Sequence, residues 1–223
     1  MSADDLRVNM WHLDNDILAY NVVDLKPSVL EDLQEVITHM EHHPSRSELF
    51  LFSSSKGYVA TCDLRMNSRF DKRGKNVAIF MTEDEPSKKN FFTDIVNSVA
   101  KAKFSPIQED PYIFSRDYLA VHVWDIRNTR TPARSLNVTD YIEKKLCDVY
   151  ESEAIFDKFD LHVSPDASMV LTGSYNSNAH VLDLVNQTNW AIDVKFMDKR
   201  GKNVGLMRKY RGRRLLAHQP TNK

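Results

Sequence analysis

Three closely spaced histidines are the first residues whose side chains could do chemistry. His39, His42 and His43 precede Pro44, and imidazole is a common ligand of transition metals. Alternation along a predicted strand sends the side chains of His42 and His43 to opposite faces. No cysteine or carboxylate cluster joins the histidines at the spacing of metal ligands. The sequence therefore predicts no metal site here.

Catalytic motifs are also missing from the sequence. The chain has six glycines and no glycine-rich phosphate loop, and no motif pairs a nucleophile with a base. The carboxylates Glu83, Asp84 and Glu85 are most simply an acidic surface loop. We therefore expect no catalytic residues, no enzymatic activity and no cofactor.

Two groups of side chains suit binding better than catalysis. Leu30 and Leu33 alternate with the carboxylates Glu31, Asp32 and Glu35. Either the leucines pack down on the protein body, or they form an apolar ledge rimmed by carboxylates. The ledge would suit an amphipathic basic helix, and the sequence leaves both interpretations open.

The second group mixes aromatic and charged side chains within nine residues. It consists of Tyr150, Glu151, Glu153, Phe156 and Lys158, a composition typical of interface anchors with a polar rim. Phe156 could equally belong to the core, because it directly precedes a predicted strand.

A repeated segment predicts the structure that positions these groups. Four turn-and-strand segments align at Trp11, Cys62, Trp124 and Leu182, with spacings of 51, 62 and 58 residues. Three of the four carry an aspartate directly after the aligned position. We interpret each segment as the closing strand of a WD-repeat blade, in a period longer than the usual 40–45 residues.

The remaining strands fit around this repeat. Alternating segments that end in a proline turn, VITHMEHHP, VAKAKFSP and KFDLHVSPD, predict inner strands. A second strand follows each of them, in ELFLFSSS, PYIFSRD and SMVLTGSY. The expected fold is all-β: a partial WD-repeat β-propeller of about three blades plus one leading strand, over residues 1–194. A basic C-terminal tail, 195–223, follows.

Short helices are predicted in the loops between blades. Ser28 and Glu31 form a capping box, Asn90 caps a second helix, and Asp140 with Glu143 opens a third. Connections between blades emerge on one face of a propeller, so we expect all three helices to share one surface.

Two adjacent aspartates are predicted to differ in role. Asp4 precedes Trp11 by seven residues, as Asp117 precedes Trp124, which indicates a turn aspartate that caps its own backbone amides. Asp5 occupies the place of Tyr118 and is expected to point outward. The alternative for Asp5 is an ordinary solvated turn carboxylate.

Charge is distributed unevenly along the chain. The net charge is −1, but the segment from Lys195 onward holds ten Lys/Arg and only one acidic residue, Asp198, which leaves the body acidic. An acidic body favours basic protein partners. The tail could bind nucleic acid or an anionic membrane, but a solvated terminus is the simpler interpretation. The motif DKRGKNV occurs twice, at 71–77 and 198–204, without a physical explanation.

The cell compartment is predicted from features that the sequence lacks. No apolar run approaches the length of a membrane span, and the N-terminal residues do not resemble a secretory signal. Cys62 and Cys147 are too scattered for a disulfide framework or a zinc site. We expect reduced thiols and a cytoplasmic protein, with the nucleus as a second compartment and no membrane association.

Several longer strings carry a resemblance to a known family. The strings are SADDLRVNMWHLDN, EVITHMEHHP, FLFSSSKGYVATCDLR, SRDYLAVHVWDIRN, KLCDVYESEAIFDKFD and VLTGSYNSNAHVLD. From Ser2 to about Asp183 the chain resembles the B-type, 55-kDa class of regulatory subunits of protein phosphatase 2A. The resemblance covers the middle-to-late part of that family's seven-bladed propeller.

This resemblance implies a function without chemistry of its own. Such subunits join the scaffold and catalytic subunits of the phosphatase, and they select phosphoprotein substrates in an acidic groove on the top face. The implied substrate-binding residues are Asp5, Leu30, Leu33, Val36, Phe92, Tyr150, Glu151, Glu153, Phe156 and Lys158. Position 153 holds Glu where the family usually has Asp. The alternative is a truncated WD-repeat scaffold or decoy that does not join the phosphatase.

Overall fold

The computed structural model describes residues 1–12, 14, 19–65, 77–82, 90–175, 177–193 and 207–208. Glu83 to Glu85, both copies of DKRGKNV apart from Val77, and almost all of the tail 195–223 lie outside these residues. The boundary between propeller and tail at residue 194 therefore stays a prediction.

The described strands form four antiparallel sheets, which we call blades 1 to 4 in chain order. Blade 1 contains β1 (Ser2–Ala3), β2 (Arg7–Trp11) and β3 (Ala19–Asp24). Blade 2 contains β4 (Ile37–His42), β5 (Leu49–Ser54), β6 (Tyr58–Asp63) and β7 (Val77–Met81). Blade 3 contains β8 (Lys101–Phe104), β9 (Tyr112–Arg116), β10 (Ala120–Asp125) and β11 (Arg134–Asn137). Blade 4 contains β12 (Leu161–Val163), β13 (Met169–Gly173), β14 (Asn178–Asp183), β15 (Thr188–Asp193) and β16 (Met207–Arg208).

The predicted all-β partial propeller is confirmed by these sheets. The predicted inner strands correspond to β4, β8 and β12, and β8 contacts both β4 and β12. The second strands of the same blades correspond to β5, β9 and β13, each paired with the inner strand of its own blade.

Two details of the predicted blades are wrong. The aligned strand is the third strand of its blade and not the closing one, because β7, β11 and β15 pair beyond it. The leading segment is a three-stranded sheet and not a single strand. The outer strands escape prediction because they lack clear alternation: in Arg134–Asn137, only Leu136 is buried.

Apolar layers between neighbouring blades form the core. Alternate residues of one strand point to opposite faces, so Phe50 and Phe52 pack toward blade 1 while Leu51 packs toward blade 3. Phe80 of blade 2 meets Trp124 of blade 3, with ring centroids 5.9 Å apart. Burial of these side chains between sheets is the main favourable contribution to folding.

The aspartate that follows the aligned position closes the next turn. In blades 2, 3 and 4, Oδ1 of Asp63, Asp125 and Asp183 accepts a backbone N–H from two residues further on, at 2.9, 3.0 and 2.9 Å. Hydrogen bonds to the charged carboxylate lower its pKa in all three cases. The repeated aspartate is therefore a structural residue of the turn.

Candidate functional site

The connections between blades and the turns between second and third strands lie on one face of the arc. Successive turns of an antiparallel sheet alternate between its two ends, which places these segments together. Backbone contacts agree: Ile37 N–H donates to the Asp5 carbonyl at 2.7 Å, and Tyr118 N–H donates to the Val96 carbonyl at 3.1 Å. We call this surface the helix-bearing face.

The predicted capping role of Asp4 and Asp117 is confirmed. Asp4 Oδ1 accepts the N–H groups of Leu6 and Arg7 at 2.9 and 2.7 Å. Asp117 Oδ1 accepts those of Leu119 and Ala120 at 2.8 and 2.6 Å. The neighbouring positions differ, because the Asp5 side chain is exposed whereas Tyr118 is buried.

Exposed apolar side chains mark the connection between blades 1 and 2. A 3-10 helix, Leu30–Asp32, begins after Val29 without a side-chain cap, so the predicted capping box of Ser28 and Glu31 is wrong. A helix of three residues leaves no room for the reciprocal bonds of that motif. Leu30 is 62% exposed and Leu33 is 41% exposed. The structure thus favours the ledge over inward packing.

Glu35 and Val36 are tied to blade 2. Glu35 Oε2 accepts hydrogen bonds from Ser54 Oγ at 3.0 Å and from the Tyr58 hydroxyl at 2.8 Å. Burial and this carboxylate raise the pKa of Tyr58 well above its ordinary value. Val36 is half-buried, and its N–H donates to Ser55 Oγ at 3.0 Å. Both residues therefore anchor the connection.

The helix α1 (Thr93–Asn97) lies between blades 2 and 3. Asn90 Oδ1 accepts the Phe92 N–H at 2.9 Å, and Thr93 Oγ1 accepts the Asn90 N–H at 2.8 Å. Asn90 therefore caps the turn that leads into α1, whereas the helix itself begins after Phe92 without a side-chain cap. Gly57 has a φ of +82°, and a Cβ atom there would lie 2.9 Å from the Asn97 carbonyl oxygen. Glycine thus lets the turn of blade 2 approach the end of α1.

The longest helical connection lies between blades 3 and 4. It contains the 3-10 helix Asp140–Lys145, the helix α2 (Leu146–Glu151) and the 3-10 helix Ala154–Phe156. The first helix begins after Thr139, not after Asp140 as predicted, and Thr139 Oγ1 donates to the Tyr118 carbonyl at 2.7 Å. The helix start is thereby fixed to the turn of blade 3.

A buried apolar cluster holds these short helices to the arc. The cluster unites α1, the turn of blade 3 and the three helices of the last connection; its buried members are Val96, Tyr118, Ile142, Leu146 and Ile155. Short helices are marginal in isolation. Packing on this cluster therefore supplies the stability of the helix-bearing face.

Above this cluster lies a group of exposed aromatic rings, which we call the aromatic patch. Phe91 packs against Phe92 and Tyr150, with centroids 5.2 and 5.6 Å apart. Tyr150 lies 5.7 Å from Phe92 and 6.0 Å from Phe156. Phe91, Phe156 and Tyr150 are 71%, 58% and 39% exposed. Contiguous exposed apolar surface of this kind marks interaction sites.

Exposed charges surround the aromatic patch. Glu151, Glu153 and Lys158 belong to the same connection as Tyr150 and Phe156, and all three are exposed. Glu153 has a φ of +61°, a left-handed conformation that is costly for residues other than glycine. A small pocket of about 80 Å³ lies beside Phe156 and is also lined by Lys158 and Tyr118.

The structure brings the predicted residues together in two groups. Phe92, Tyr150 and Phe156 contact one another, with Glu151, Glu153 and Lys158 on the same connection. Asp5 lies beside the end of the connection between blades 1 and 2, where the Ile37 N–H donates to its carbonyl, and Leu30, Leu33 and Val36 lie on that connection. Phe156 is surface and not core. The sequence interpretation omitted Phe91, although its adjacency to Phe92 after the Asn90 cap was a visible signal.

The histidines of β4 and the adjoining His43 have surroundings unlike those of a metal site. His43 is buried against Phe104, with ring centroids 4.7 Å apart, and its Nδ1 accepts the Ser45 N–H at 3.2 Å. Burial, with Lys101 and Lys103 nearby, lowers the pKa of His39 to about 4. Among the residues that the structure describes, no three histidine, cysteine or carboxylate side chains group as metal ligands. Within the same residues, no helix is long and apolar enough to cross a bilayer.

Comparison with solved structures adds a weak likeness. The WD40 domain of coronin from Toxoplasma gondii matches 69% of this chain with a TM-score of 0.48 and 9% identity, over 32% of that chain. At that TM-score the likeness carries no argument, and the fold rests on the blades described above. No family model matches the chain.

Comparison with curated proteins gives a closer relationship. The regulatory subunit phr2AB of serine/threonine-protein phosphatase 2A from Dictyostelium discoideum is 42% identical over 183 residues. The B gamma isoforms of the 55 kDa regulatory subunit of the same phosphatase are 44% identical in Rattus norvegicus and 43% identical in Homo sapiens. These matches cover 82% of this chain but only 37% to 40% of the relatives' length. The resemblance stated from the sequence is thus confirmed: over 183 residues this chain is homologous to the B-type, 55 kDa regulatory subunits of protein phosphatase 2A.

Proposed function

We propose that this chain recruits phosphoprotein substrates to protein phosphatase 2A by binding their basic, amphipathic segments on the helix-bearing face. The observation that carries the proposal is the aromatic patch, in which the exposed rings of Phe91, Tyr150 and Phe156 contact the half-buried Phe92 or one another, with carboxylates beside them. The names of the curated relatives as regulatory subunits support the same function. The chain itself performs no chemistry in this proposal.

The chemistry of the surface suits a cationic partner with one apolar side. Tyr150 and Phe156 offer rings on which apolar side chains can be desolvated, and aromatic anchors of this kind dominate interface energetics. Beside these rings, Glu151 and Glu153 can form ion pairs with lysine or arginine side chains of the bound segment. A bound substrate gains a high local concentration near a catalytic partner, which is how recruitment would accelerate dephosphorylation.

Peptide binding tests this proposal directly. The labelled probe is a basic amphipathic helical peptide, and its affinity for the full chain is measured by fluorescence anisotropy. Tyr150→Ala should weaken binding by about 30-fold, the cost of losing a central aromatic anchor. The control Tyr20→Ala removes a tyrosine of similar exposure from β3 and should leave the affinity unchanged. Equal affinities for both variants would refute the proposed surface.

Charge reversal provides a second arm of this experiment. Glu151→Lys should weaken binding and reduce its dependence on salt, because fewer opposite charges then contribute to the encounter. Glu109→Lys is the matched control, since Glu109 is exposed in the turn between β8 and β9, at the other end of the blade. A similar loss of affinity in both variants would indicate a general charge effect and would contradict a local site.

A second candidate function requires only the helix-bearing face. The chain spans about two fifths of the length of the curated relatives that it matches, and in this candidate it binds proteins as a WD-repeat scaffold or decoy without joining the phosphatase. Co-purification distinguishes the two functions. Recovery of the phosphatase scaffold and catalytic subunits with the tagged chain supports the first, and their absence alongside retained peptide binding supports the second. Nucleic acid and membranes are not partners in either candidate.

A further inference from the structure

The pocket beside Phe156 has walls from three segments of the helix-bearing face, and its volume is about 80 Å³. Tyr118 comes from the turn of blade 3, Ile95 from α1, and Ile155, Phe156 and Phe159 from the connection between blades 3 and 4. Tyr118 and Ile155 are 5% and 2% exposed and belong to the buried cluster below this face. The pocket therefore has a fixed and largely apolar lining, and Phe156 joins it to the aromatic patch.

Three charged residues complete the lining, namely Asp117, Asp157 and Lys158. The oxygens of Asp117 already have partners. Oδ1 accepts two backbone N–H groups, and Oδ2 lies 2.6 Å from His122 Nε2. The buried guanidinium of Arg116 lies 3.9 Å from the same carboxylate and balances its charge. Asp117 is therefore part of the supporting structure and not a group that awaits a ligand.

Asp157 has a different environment. It is exposed, and no hydrogen bond or ion pair joins its carboxylate to another residue that the structure describes. Burial raises the pKa of Tyr118, and the negative charge of Asp157 adds to that shift, so the carboxylate acts on the inside of the pocket. The side chain of Lys158 is exposed and long enough to carry its ammonium group into solvent, whereas the short side chain of Asp157 keeps its charge at the pocket. The pocket thus combines aromatic rings with a carboxylate that has no partner.

We infer that this pocket takes one arginine side chain of the bound basic segment, with the guanidinium paired to Asp157 and the apolar stem against Phe156 and Phe159. The inference rests on the proposed function and specifies which residue type the surface selects. A guanidinium binds a carboxylate with two parallel hydrogen bonds and stacks on aromatic rings. The methylene groups of arginine suit apolar walls.

Other side chains fit this pocket less well. An aliphatic side chain would contact the same walls but would desolvate Asp157 without giving it a partner, which is unfavourable. Lysine offers a compact, strongly hydrated ammonium group that does not match a carboxylate and a ring together. An acidic side chain would be repelled by Asp157. The expected order of affinity at this position is arginine, then lysine, then methionine.

The test uses the full chain and the basic amphipathic helical peptide of the anisotropy assay, with one arginine at a time replaced by methionine. At one position the replacement should weaken binding by about 10-fold, because a charge-assisted hydrogen bond is lost, and lysine at that position should weaken it less. Asp157→Asn should weaken binding of the parent peptide by about the same factor. On this variant the methionine replacement should have no further effect, since a double-mutant cycle then assigns the loss to one shared contact.

A matched control separates this contact from general attraction between opposite charges. Asp148→Asn removes an exposed carboxylate from α2, in the same connection, and should leave the full effect of the arginine replacement. Ser98→Leu narrows the pocket at the end of α1 and should abolish the preference for arginine. Its control Ser47→Leu, exposed in the turn between β4 and β5, should retain that preference. Thermal unfolding checks that each variant folds.

The outcomes distinguish this inference from the proposed function. If Tyr150→Ala weakens binding but each arginine replacement costs the same on the wild type and on Asp157→Asn, the inference is overturned and the proposed function stands. Equal binding of arginine and methionine peptides to the wild type would overturn it as well, because the pocket would then select apolar side chains. Retained arginine preference in a folded Ser98→Leu variant would place the contact outside the pocket and has the same consequence. If Tyr150→Ala has no effect, the proposed function fails, and the inference fails with it.

Discussion

His39 should make the stability of this protein fall as the pH is lowered from 6.5 to 4. Its ring lies on the inner strand β4, and Nε2 is buried without a hydrogen-bond partner among the described residues. Burial disfavours the charged imidazolium, as do the nearby Lys101 and Lys103, and only Asp160 acts in the opposite direction. The pKa is therefore lowered from 6.5 to about 4.

The sign and size of the effect follow from proton linkage. Between pH 6.5 and 4 the unfolded chain binds a proton at His39 and the folded chain does not, so acidification favours unfolding. No contribution is expected above pH 6.5, and the full penalty is reached below pH 4. At pH 4.5 the folded state should have lost about 2 to 3 kcal/mol relative to neutral pH, a large part of the 5–15 kcal/mol typical of a domain.

Urea unfolding of the wild type and of His39→Gln at pH 7.0 and 4.5 isolates this contribution. Protonation of carboxylates affects both proteins alike, so the wild type should lose about 2 to 3 kcal/mol more than the variant between the two pH values. His12→Gln removes an exposed histidine and should follow the wild type. Parallel loss of stability in the wild type and His39→Gln would show that the surroundings of His39 do not suppress its protonation.

Three further predictions concern stability and binding. Ala167 has a φ of +52°, so Ala167→Gly should raise the free energy of unfolding by about 1 kcal/mol. The control Ala179→Gly, within β14, should lower it by about the same amount. Urea titration measures both changes, and changes of the same sign would contradict the conformational explanation. Arg116→Ala should lower the free energy of unfolding by about 3 to 5 kcal/mol in the same assay. The reason is that the buried guanidinium donates hydrogen bonds to the carbonyls of Asp117 and Ala120 and to Thr172 Oγ1 of blade 4. A loss below about 1 kcal/mol would contradict this structural role. Asp5→Lys and Leu33→Ala should each weaken substrate capture in a pulldown while leaving the melting temperature within about 2 °C, since both residues are exposed; unchanged capture by both would remove the blade 1 to blade 2 junction from the site.

The fold could be predicted from the sequence because each of blades 2 to 4 needs the same two kinds of residue at the same place in its third strand. In each of blades 2 to 4 the aligned residue of the third strand fills the junction with the preceding blade, and the next residue, an aspartate, closes a turn. The aligned residues are Cys62, Trp124 and Leu182, and the aspartates are Asp63, Asp125 and Asp183. Arg116 lacked any such signal. Arginine is usually found at the surface, so its residue type predicts exposure, whereas Arg116 is fully buried.

The site was less predictable, because loop conformation depends on contacts made far away in the sequence. Helix caps show this difference. The Asn90 cap uses atoms within three residues and could be predicted, whereas Thr139 is held by the Tyr118 carbonyl, about twenty residues earlier in the chain. Ser28 and Glu31 match the capping-box pattern, yet Leu33 adopts an extended backbone conformation and ends the helix after three residues. The local pattern alone therefore did not determine the conformation of this connection.

The exposure of Tyr150 and Phe156 supports the proposed binding role of the aromatic patch, because neither ring belongs to the buried cluster that holds the loops in place. Leu146 and Ile155 already fix α2 and the following 3-10 helix to the buried cluster around Tyr118. Tyr150 and Phe156 lie on the same two elements but remain 39% and 58% exposed. A chain selected for stability alone would gain from polar side chains at such positions, since exposed apolar surface promotes non-specific association. The rigid support below and the uncovered rings above are together what a preorganised docking surface requires.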